Sequence, residues 1–129
     1  MKPFLVVAFL VLSYTPWAQQ AFNTDTVGQN ATAEVYVRKI GGDSLSSSFC
    51  IVIKTQVKPH RHLTHSEQVV VLAGEGTMRL GDKTFPVKKG DVIFIPKNTP
   101  HAVVSRGTVP LKVISVQAPQ FDGRDRVFE

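Results

Sequence analysis

Apolar and polar residues alternate in short runs along most of the chain, and glycine, proline or charged residues separate the runs. This period of two predicts β-strands, and no segment among the runs keeps the spacing of an amphipathic helix. The eight predicted strands are Thr32–Ile40, Ser47–Val57, Glu67–Ala73, Thr77–Leu80, Lys83–Val87, Asp91–Ile95, His101–Ser105 and Leu111–Gln117. Gly81 and Asp82 form a two-residue hairpin turn in this scheme.

Eight short strands at near-regular spacing predict an all-β protein, and an antiparallel jelly-roll β-barrel is the eight-stranded fold that suits them best. Two runs, "VVVLA" and "VIFI", are apolar at consecutive positions, so both faces of these strands are apolar. A small barrel with a solvated outer face does not need this. We therefore expect a second copy of the chain to cover part of the outer face, as a homodimer.

The amino-terminal residues predict a segment that is removed from the mature protein. Lys2 precedes a ten-residue apolar run, Pro3 to Leu12, which is too short to cross a bilayer as a lone helix. Together with the polar stretch behind it, the run indicates a signal peptide over residues 1–21, cleaved near Ala18 to Ala21, although an uncleaved anchor is an alternative. We expect a periplasmic or secreted protein without stable membrane insertion.

The remaining chain predicts one domain with two flanking segments. Residues 22–31 are polar and are expected to be a flexible amino-terminal segment, and residues 32–118 contain the barrel. Residues 119–129 are polar and turn-rich, so we expect this tail to form a strap across the surface or a dimer contact.

Composition argues against a nucleic-acid partner and excludes an internal disulfide. The formal net charge is +5, but the basic residues are mostly scattered singly, so no stripe suited to nucleic acid is present and none is expected as a partner. Cys50 is the sole cysteine, which rules out an internal disulfide. Its position in "SFCIVIK" favours a small buried apolar role over a reactive thiol.

Three of the four histidines lie within "PHRHLTHSE", residues 59–67. Because alternate side chains of a strand share a face, His60 and His62 can bind the same ligand. An isolated pair of this kind is often an incidental surface feature, but Glu67 opens the next strand and His101 begins a later one. Three imidazoles and a carboxylate converging from neighbouring strands form a mixed nitrogen and oxygen site for a divalent transition metal.

Two motifs in the chain resemble those of the cupin superfamily. Residues 60–76, "HRHLTHSEQVVVLAGEG", are similar to its first motif, and residues 90–101, "GDVIFIPKNTPH", are similar to its second. Asn98 replaces the usual turn glycine of the second motif, and Asn tolerates left-handed backbone better than most residues.

The resemblance implies a jelly-roll barrel, often dimeric, whose metal ligands fall on His60, His62, Glu67 and His101 of this sequence. The metals it implies are iron, manganese, nickel, copper, cobalt or zinc. It does not imply one reaction, because cupins include dioxygenases, isomerases, decarboxylases, lyases, storage proteins and ligand sensors.

Two further residues are candidates for accessory roles. His65 lies at a connecting position of the first motif, where it is either an exposed loop histidine near the barrel mouth or a replacement ligand or proton shuttle. Tyr36, on the first strand, either faces the cavity and supplies a phenol or lies on the surface or in the dimer contact.

Two functions from different classes are consistent with this site. Four protein ligands on an octahedral metal leave two positions open, enough for a substrate and dioxygen. The residues predicted to point inward are mostly apolar, so the first hypothesis is a metal-dependent oxidoreductase of dioxygenase type acting on a small, largely apolar substrate. The second is a non-catalytic cupin that binds a small ligand or sequesters metal.

Overall fold

The computed structural model describes residues 21–129, and nearly all of their regular structure is β-strand. The strands are β1 (Val35–Gly42), β2 (Ser47–Ile53), β3 (Gln56–Arg61), β4 (Ser66–Ala73), β5 (Glu75–Leu80), β6 (Lys83–Lys88), β7 (Val92–Ile95), β8 (His101–Arg106), β9 (Leu111–Ala118) and β10 (Val127–Phe128). One turn of 3-10 helix, Thr24–Thr26, precedes them. Within the described range, no helix has the length and apolar character needed to cross a membrane.

The strands form two five-stranded antiparallel sheets that face each other. Sheet A has the order β1-β2-β9-β4-β7, and sheet B has the order β10-β3-β8-β5-β6. Non-consecutive strands are neighbours in both sheets, as in a jelly roll. The predicted all-β jelly-roll fold is therefore confirmed, and so is the tight hairpin, since Leu80 pairs with Lys83 across the Gly81-Asp82 turn.

The core lies between the two sheets, and the alternation of β9 shows how the sequence builds it. Leu111, Val113, Ser115 and Gln117 are all buried, whereas the residues between them are only partly buried. Apolar side chains from both sheets complete the main cluster, which contains Ile53, Val71, Met78, Val87, Ile93, Ile95, Leu111 and Val113. The polar positions of β9 lie at the end of the strand that reaches the histidines.

The single strand predicted over residues 47–57 is two strands. The chain leaves sheet A after Ile53 and enters sheet B at Gln56. At this corner the Lys54 amide donates to the Glu34 carbonyl (2.8 Å), and the Thr55 carbonyl accepts from the Ser105 amide (2.7 Å). Both groups are thus paired outside an ordinary ladder, which is how a β-rich run can change sheets without losing hydrogen bonds.

The segment 22–31 differs from the flexible segment that its polar composition predicts. Val27 is only 2% exposed, and it packs with Cys50 and Val52 on the outer face of sheet A. Phe22 and Tyr36 pack against the same cluster. One well-placed apolar side chain therefore docks the segment on the barrel.

Cys50 is fully buried, as predicted, and burial raises the pKa of its thiol. The predicted signal peptide, residues 1–21, lies outside the described residues except for Ala21.

The carboxyl-terminal tail, residues 119–129, crosses the surface of the barrel, and we call it the strap. Its last residues form β10, which pairs with β3 through Val127 with Arg61 and Phe128 with His60. The strap therefore adds an edge strand next to the strand that carries the first histidine. At the end of the strap, Glu129 forms an exposed ion pair with Arg79 on β5 at 2.5 Å.

The outer face of sheet A carries the surface on which the expected homodimer depends. Val92 and Phe94 on the edge strand β7 are 56% and 59% exposed, while Ile93 and Ile95 between and beside them are buried. The "VIFI" run is therefore apolar on both faces, as its sequence indicates. The homodimer itself stays a prediction.

Two motif glycines with positive φ provide a matched test of backbone crowding. A Cβ on Gly74 would lie 2.5 Å from the Pro110 carbonyl oxygen, whereas a Cβ on Gly90 would meet nothing within 4 Å. We expect Gly90→Ala to cost about 1–2 kcal/mol through backbone strain alone. Gly74→Ala should cost about 1–3 kcal/mol more, because the backbone at Pro110 must move. Equal losses in chemical denaturation would contradict this packing.

Candidate metal centre

The structure brings the four predicted ligands to one end of the space between the sheets. His60 lies next to the last residue of β3 and pairs with His101 at the start of β8, so these two belong to sheet B. Glu67 lies on β4 of sheet A. His62 lies just after β3, and its carbonyl accepts from the Asn98 amide at 2.5 Å. Asn98 has φ +60°, so the residue that replaces the motif glycine does adopt the left-handed conformation expected of it.

Each of the three ligand-candidate imidazoles donates its Nδ1 proton to a backbone carbonyl. The acceptors are the carbonyl of Lys58 for His60 (2.8 Å), that of Thr99 for His101 (2.9 Å) and that of Asp125 for His62. A carbonyl oxygen can only accept, so Nδ1 carries the proton in each ring. In a neutral imidazole the lone pair is then on Nε2, and the ring orientation is fixed as it is around protein metal sites.

The free nitrogens converge on one point. One ligand atom from each of His60, His62 and His101 lies within 4.8 Å of the other two, and all three residues are buried. The Nε2 atoms of His62 and His101 are buried without any hydrogen-bond partner. Buried imidazole nitrogens with no partner are costly. A divalent transition metal fits these nitrogens, since it accepts their lone pairs.

Glu67 adds a carboxylate to the same point. Its Oε2 atom lies 3.3 Å from Nε2 of His101 and 3.5 Å from Nε2 of His62, while its Oε1 atom accepts from the Ser115 hydroxyl at 2.5 Å. Burial opposes ionisation of this carboxyl, but the proton donors around it, Nε2–H of a protonated His101 or His62 and the Ser115 hydroxyl, outweigh burial and hold the pKa of Glu67 below its usual range. A metal at this point would take the place of the two Nε2 protons. Glu67 is therefore an anion at neutral pH.

His60 is neutral at the same pH. Burial, partly offset by the hydrogen bond to the Lys58 carbonyl, lowers the pKa of His60 to about 4. Nearby His101 and Arg126 lower it further. A neutral ring has a lone pair on Nε2, so the electrostatic state of His60 and Glu67 at pH 7 is the one that metal binding requires.

His65 fits neither role expected of it, because it is buried and both of its nitrogens are bonded. Nδ1 lies 2.5 Å from a carboxylate oxygen of Asp125, and Nε2 lies 2.8 Å from the Gln120 carbonyl. Burial opposes a charged ring, but these two acceptors outweigh it and raise the pKa of His65 above its ordinary value. With no free nitrogen, His65 holds the strap and offers no lone pair to a metal.

Asp125 organises the loop between β3 and β4, a role that sequence analysis missed. Its carboxylate accepts from the amides of Leu63 (2.8 Å), Thr64 (2.9 Å) and His65 (3.2 Å) and from the Thr64 hydroxyl (2.8 Å). Its backbone carbonyl is the acceptor for His62. Burial opposes ionisation of the Asp125 carboxyl, but the hydrogen bonds from the His65 side chain, from Thr64 and from Leu63 outweigh it and hold the pKa of Asp125 well below its usual range. The residue lies in "FDGRDR", within the polar tail of residues 119–129.

An apolar cavity of about 100 Å³ extends from the histidines into the barrel. Its walls include Val69, Val71, Met78 and Val103, four of the six residues that strand alternation predicts to point inward; the other two, Leu80 and Ser105, are not among the lining residues. Apart from the four ligand candidates, its polar lining is Gln117 and Arg126, both overlooked in the sequence. Tyr36 does not line it, because it packs with the Val27 cluster on the opposite face of sheet A. The histidines thus lie at one end of a small, largely apolar space.

Comparisons with known proteins agree on the family and leave the activity open. An uncharacterized protein of Methanocaldococcus jannaschii is 42% identical over 66 residues, which are 51% of this chain and 53% of that protein. Mannose-1-phosphate guanylyltransferase RfbM of Salmonella typhimurium is 34% identical over 80 residues, 60% of this chain but 17% of the enzyme. The chain thus matches about half the length of the first relative and a small part of the second.

The structural comparison and the family profile cover more of the barrel. A conserved protein of Klebsiella pneumoniae with a double-stranded β-helix domain superposes with a TM-score of 0.73 at 18% identity, over 85% of this chain and 96% of that one. This likeness shows the fold. The profile of the family described as "Cupin domain" matches residues 48–117. With both sheets, the paired motifs and three converging histidines in place, the chain belongs to the cupin family.

Proposed function

We propose that this cupin is a metal-dependent enzyme, an oxidoreductase of dioxygenase type that acts on a small, largely apolar substrate. The observation that carries the proposal is the convergence of three histidine nitrogens within 4.8 Å at an apolar cavity, two of them buried and without partners. We assign His60, His62, Glu67 and His101 as the ligands.

A divalent transition metal held by this set supplies Lewis-acid or redox chemistry at the open coordination positions. The protein residues do the rest. The carbonyl acceptors and Ser115 hold the four side chains in one orientation. The valines and Met78 around the cavity exclude water, which strengthens every electrostatic interaction inside it.

The other polar groups around the cavity favour chemistry at the metal over proton transfer by side chains. Among the described residues that line it, only Gln117 and Arg126 are polar and outside the proposed ligand set. Neither is a usual general base, since an amide does not titrate and arginine stays protonated. Isomerisation of a phosphorylated sugar needs cationic and proton-transferring groups beside the metal, and this lining offers a single arginine.

The proposed site of action is outside the cytoplasm, as a periplasmic or secreted protein. The support for this is the sequence of residues 1–21, with a basic residue, a ten-residue apolar run and small residues near Ala18 to Ala21. The absence of an internal disulfide is compatible with any compartment.

The second candidate function is a non-catalytic cupin that binds a small ligand or sequesters metal. The size of the cavity favours it: about 100 Å³ is below the roughly 300–1,000 Å³ of ordinary small-molecule sites. It is also below the roughly 150 Å³ of an apolar cavity that holds benzene. A substrate as large as benzene would need the cavity to widen, whereas a bound metal with one or two small ligands fits directly.

The ligand assignment predicts the metal content of four variants. His62→Ala and His101→Ala should lose stoichiometric metal while staying folded, because the apolar strands supply the core. Glu67→Gln should bind metal more weakly, since an amide replaces an anionic ligand. Elemental analysis after dialysis measures content, and circular dichroism checks the fold. If His65→Ala empties the site while Glu67→Gln leaves it full, the assignment is wrong.

The second prediction concerns the metal affinity of variants at two aspartates of the strap, which lie in different surroundings. Asp125→Ala should lower metal affinity by about 10- to 100-fold, because the carboxylate that orders the loop around His62 is lost. Asp122→Asn is the matched control, since the Asp122 carboxylate bonds only to Arg124 within the strap. Competition with a chromophoric chelator measures both affinities. Equal affinities in the two variants would contradict a supporting role for Asp125.

Turnover separates the two candidate functions. Protein purified from its natural compartment with its metal should consume oxygen with at least one member of a panel of small phenols, diketones and thiols. His101→Ala should reduce consumption to background, because it removes a ligand. An oxygen electrode with product analysis makes the measurement. Stoichiometric metal with no consumption on any substrate would favour the binding protein over the enzyme.

A further inference from the structure

Gln117 has a buried amide oxygen for which residues 21–129 provide no partner. The residue is 3% exposed, and Oε1 has no hydrogen-bond partner in this part of the chain. Leaving a buried acceptor unpaired costs about 1–3 kcal/mol, so such groups in native proteins require an explanation. Leucine or methionine on this strand would fill the same space without that cost.

The orientation of the amide follows from its neighbours. Ser115 donates its hydroxyl proton to Glu67, so its oxygen can only accept from Gln117. The amide nitrogen of Gln117 lies 3.4 Å from this oxygen and is the group that can donate to it. A flipped amide would place two acceptors against each other. In this series of hydrogen bonds, from Gln117 to Ser115 and from Ser115 to Glu67, the Oε1 atom of Gln117 is left without a partner.

Gln117 lies beside the candidate metal centre. It pairs with Glu67 across β9 and β4, so the two side chains are neighbours on the inner face of sheet A. Gln117 also lines the cavity with the three histidines, in a wall that is mostly apolar. A molecule bound at the histidines would therefore have the amide of Gln117 as a neighbour.

We propose that Gln117 is a ligand-recognition residue, whose amide oxygen accepts a hydrogen bond from an O–H or N–H group of the molecule bound in the cavity. This deepens the proposed function and rests on it, because the ligand is bound next to the metal. The substrate class is then a small compound with an apolar body and a donor group adjacent to the atom that faces the metal.

Such a compound should bind more tightly than an analogue without the donor, because it pairs the buried oxygen that the analogue would leave unpaired in the complex. Sites that offer a buried hydrogen-bonding group discriminate strongly against analogues that lack the matching group. The apolar valines and Met78 select for size and shape, and Gln117 selects for the donor.

Stability of the metal-free protein tests the role of the amide without any ligand. Gln117→Met keeps the length of the side chain and removes the unpaired oxygen, so its melting temperature should equal or exceed that of the wild type. Gln68→Met is the matched control, since Gln68 is an exposed glutamine on the outer face of the same sheet. A melting temperature for Gln117→Met that falls below that of the control would mean that the amide is structural, and would overturn the proposal.

Binding of two small azoles to the cobalt-loaded protein tests recognition directly. Pyrazole offers a metal-binding nitrogen with an N–H beside it, and isothiazole has sulfur in place of the N–H. Gln117→Met should weaken pyrazole binding about two- to tenfold, the range for one net hydrogen bond, and change isothiazole binding less than twofold. The cobalt absorption bands report both affinities. Gln68→Met should change neither.

The outcomes separate this inference from the proposed function. Equal pyrazole affinity in wild type and Gln117→Met overturns the inference, and loss of cobalt from Gln117→Met does so too, because the residue would then be a ligand. If the wild-type protein takes up no cobalt, the proposed function is overturned. The melting temperature of Gln117→Met then still decides whether the amide oxygen of Gln117 is available for a ligand or has a structural role.

Discussion

The constraint on which the rest of the structure depends is that each of three histidine rings has one nitrogen bound to a backbone carbonyl and the other directed at the candidate metal site. Each Nδ1 donates to a backbone carbonyl, and each Nε2 is thereby left as a lone-pair donor. The nitrogens of His62 and His101 are buried without partners, which is unfavourable in an apolar cavity. Each ring is held in place by the hydrogen bond to its carbonyl, and a metal ion would be a partner that removes the cost.

The site is assembled from more of the chain than the family motifs cover. The profile match ends at residue 117, and the groups that hold His62 and order its loop come from the strap beyond it. The strap is in turn held by His65 and by the β10 pairing with β3. Since the cupin fold serves many activities, differences in such peripheral segments and in residues like Gln117 are where the chemistry of one member is set.

Sequence reasoning found the barrel from local periodicity and the His60–His62 pair from its spacing, and the resemblance to the cupin motifs supported Glu67 and His101 as further ligand candidates. The alternation in β7 and β9 and the His60–His62 spacing can be read within a few residues. It missed the corner at Lys54, since a continuous β-rich run does not show where a chain changes sheets. It also missed Asp125 and Gln117, whose importance depends on contacts with residues about fifty to sixty positions away and not on their own neighbours in sequence.

The most direct test is the position of a metal in crystals of the loaded protein. An anomalous difference map at the absorption edge of the bound metal should show a single peak about 2.0–2.2 Å from Nε2 of His60, His62 and His101, with a Glu67 oxygen at similar distance. If crystals grown from stoichiometrically loaded protein show the peak on His65 or away from these nitrogens, the central claim is wrong.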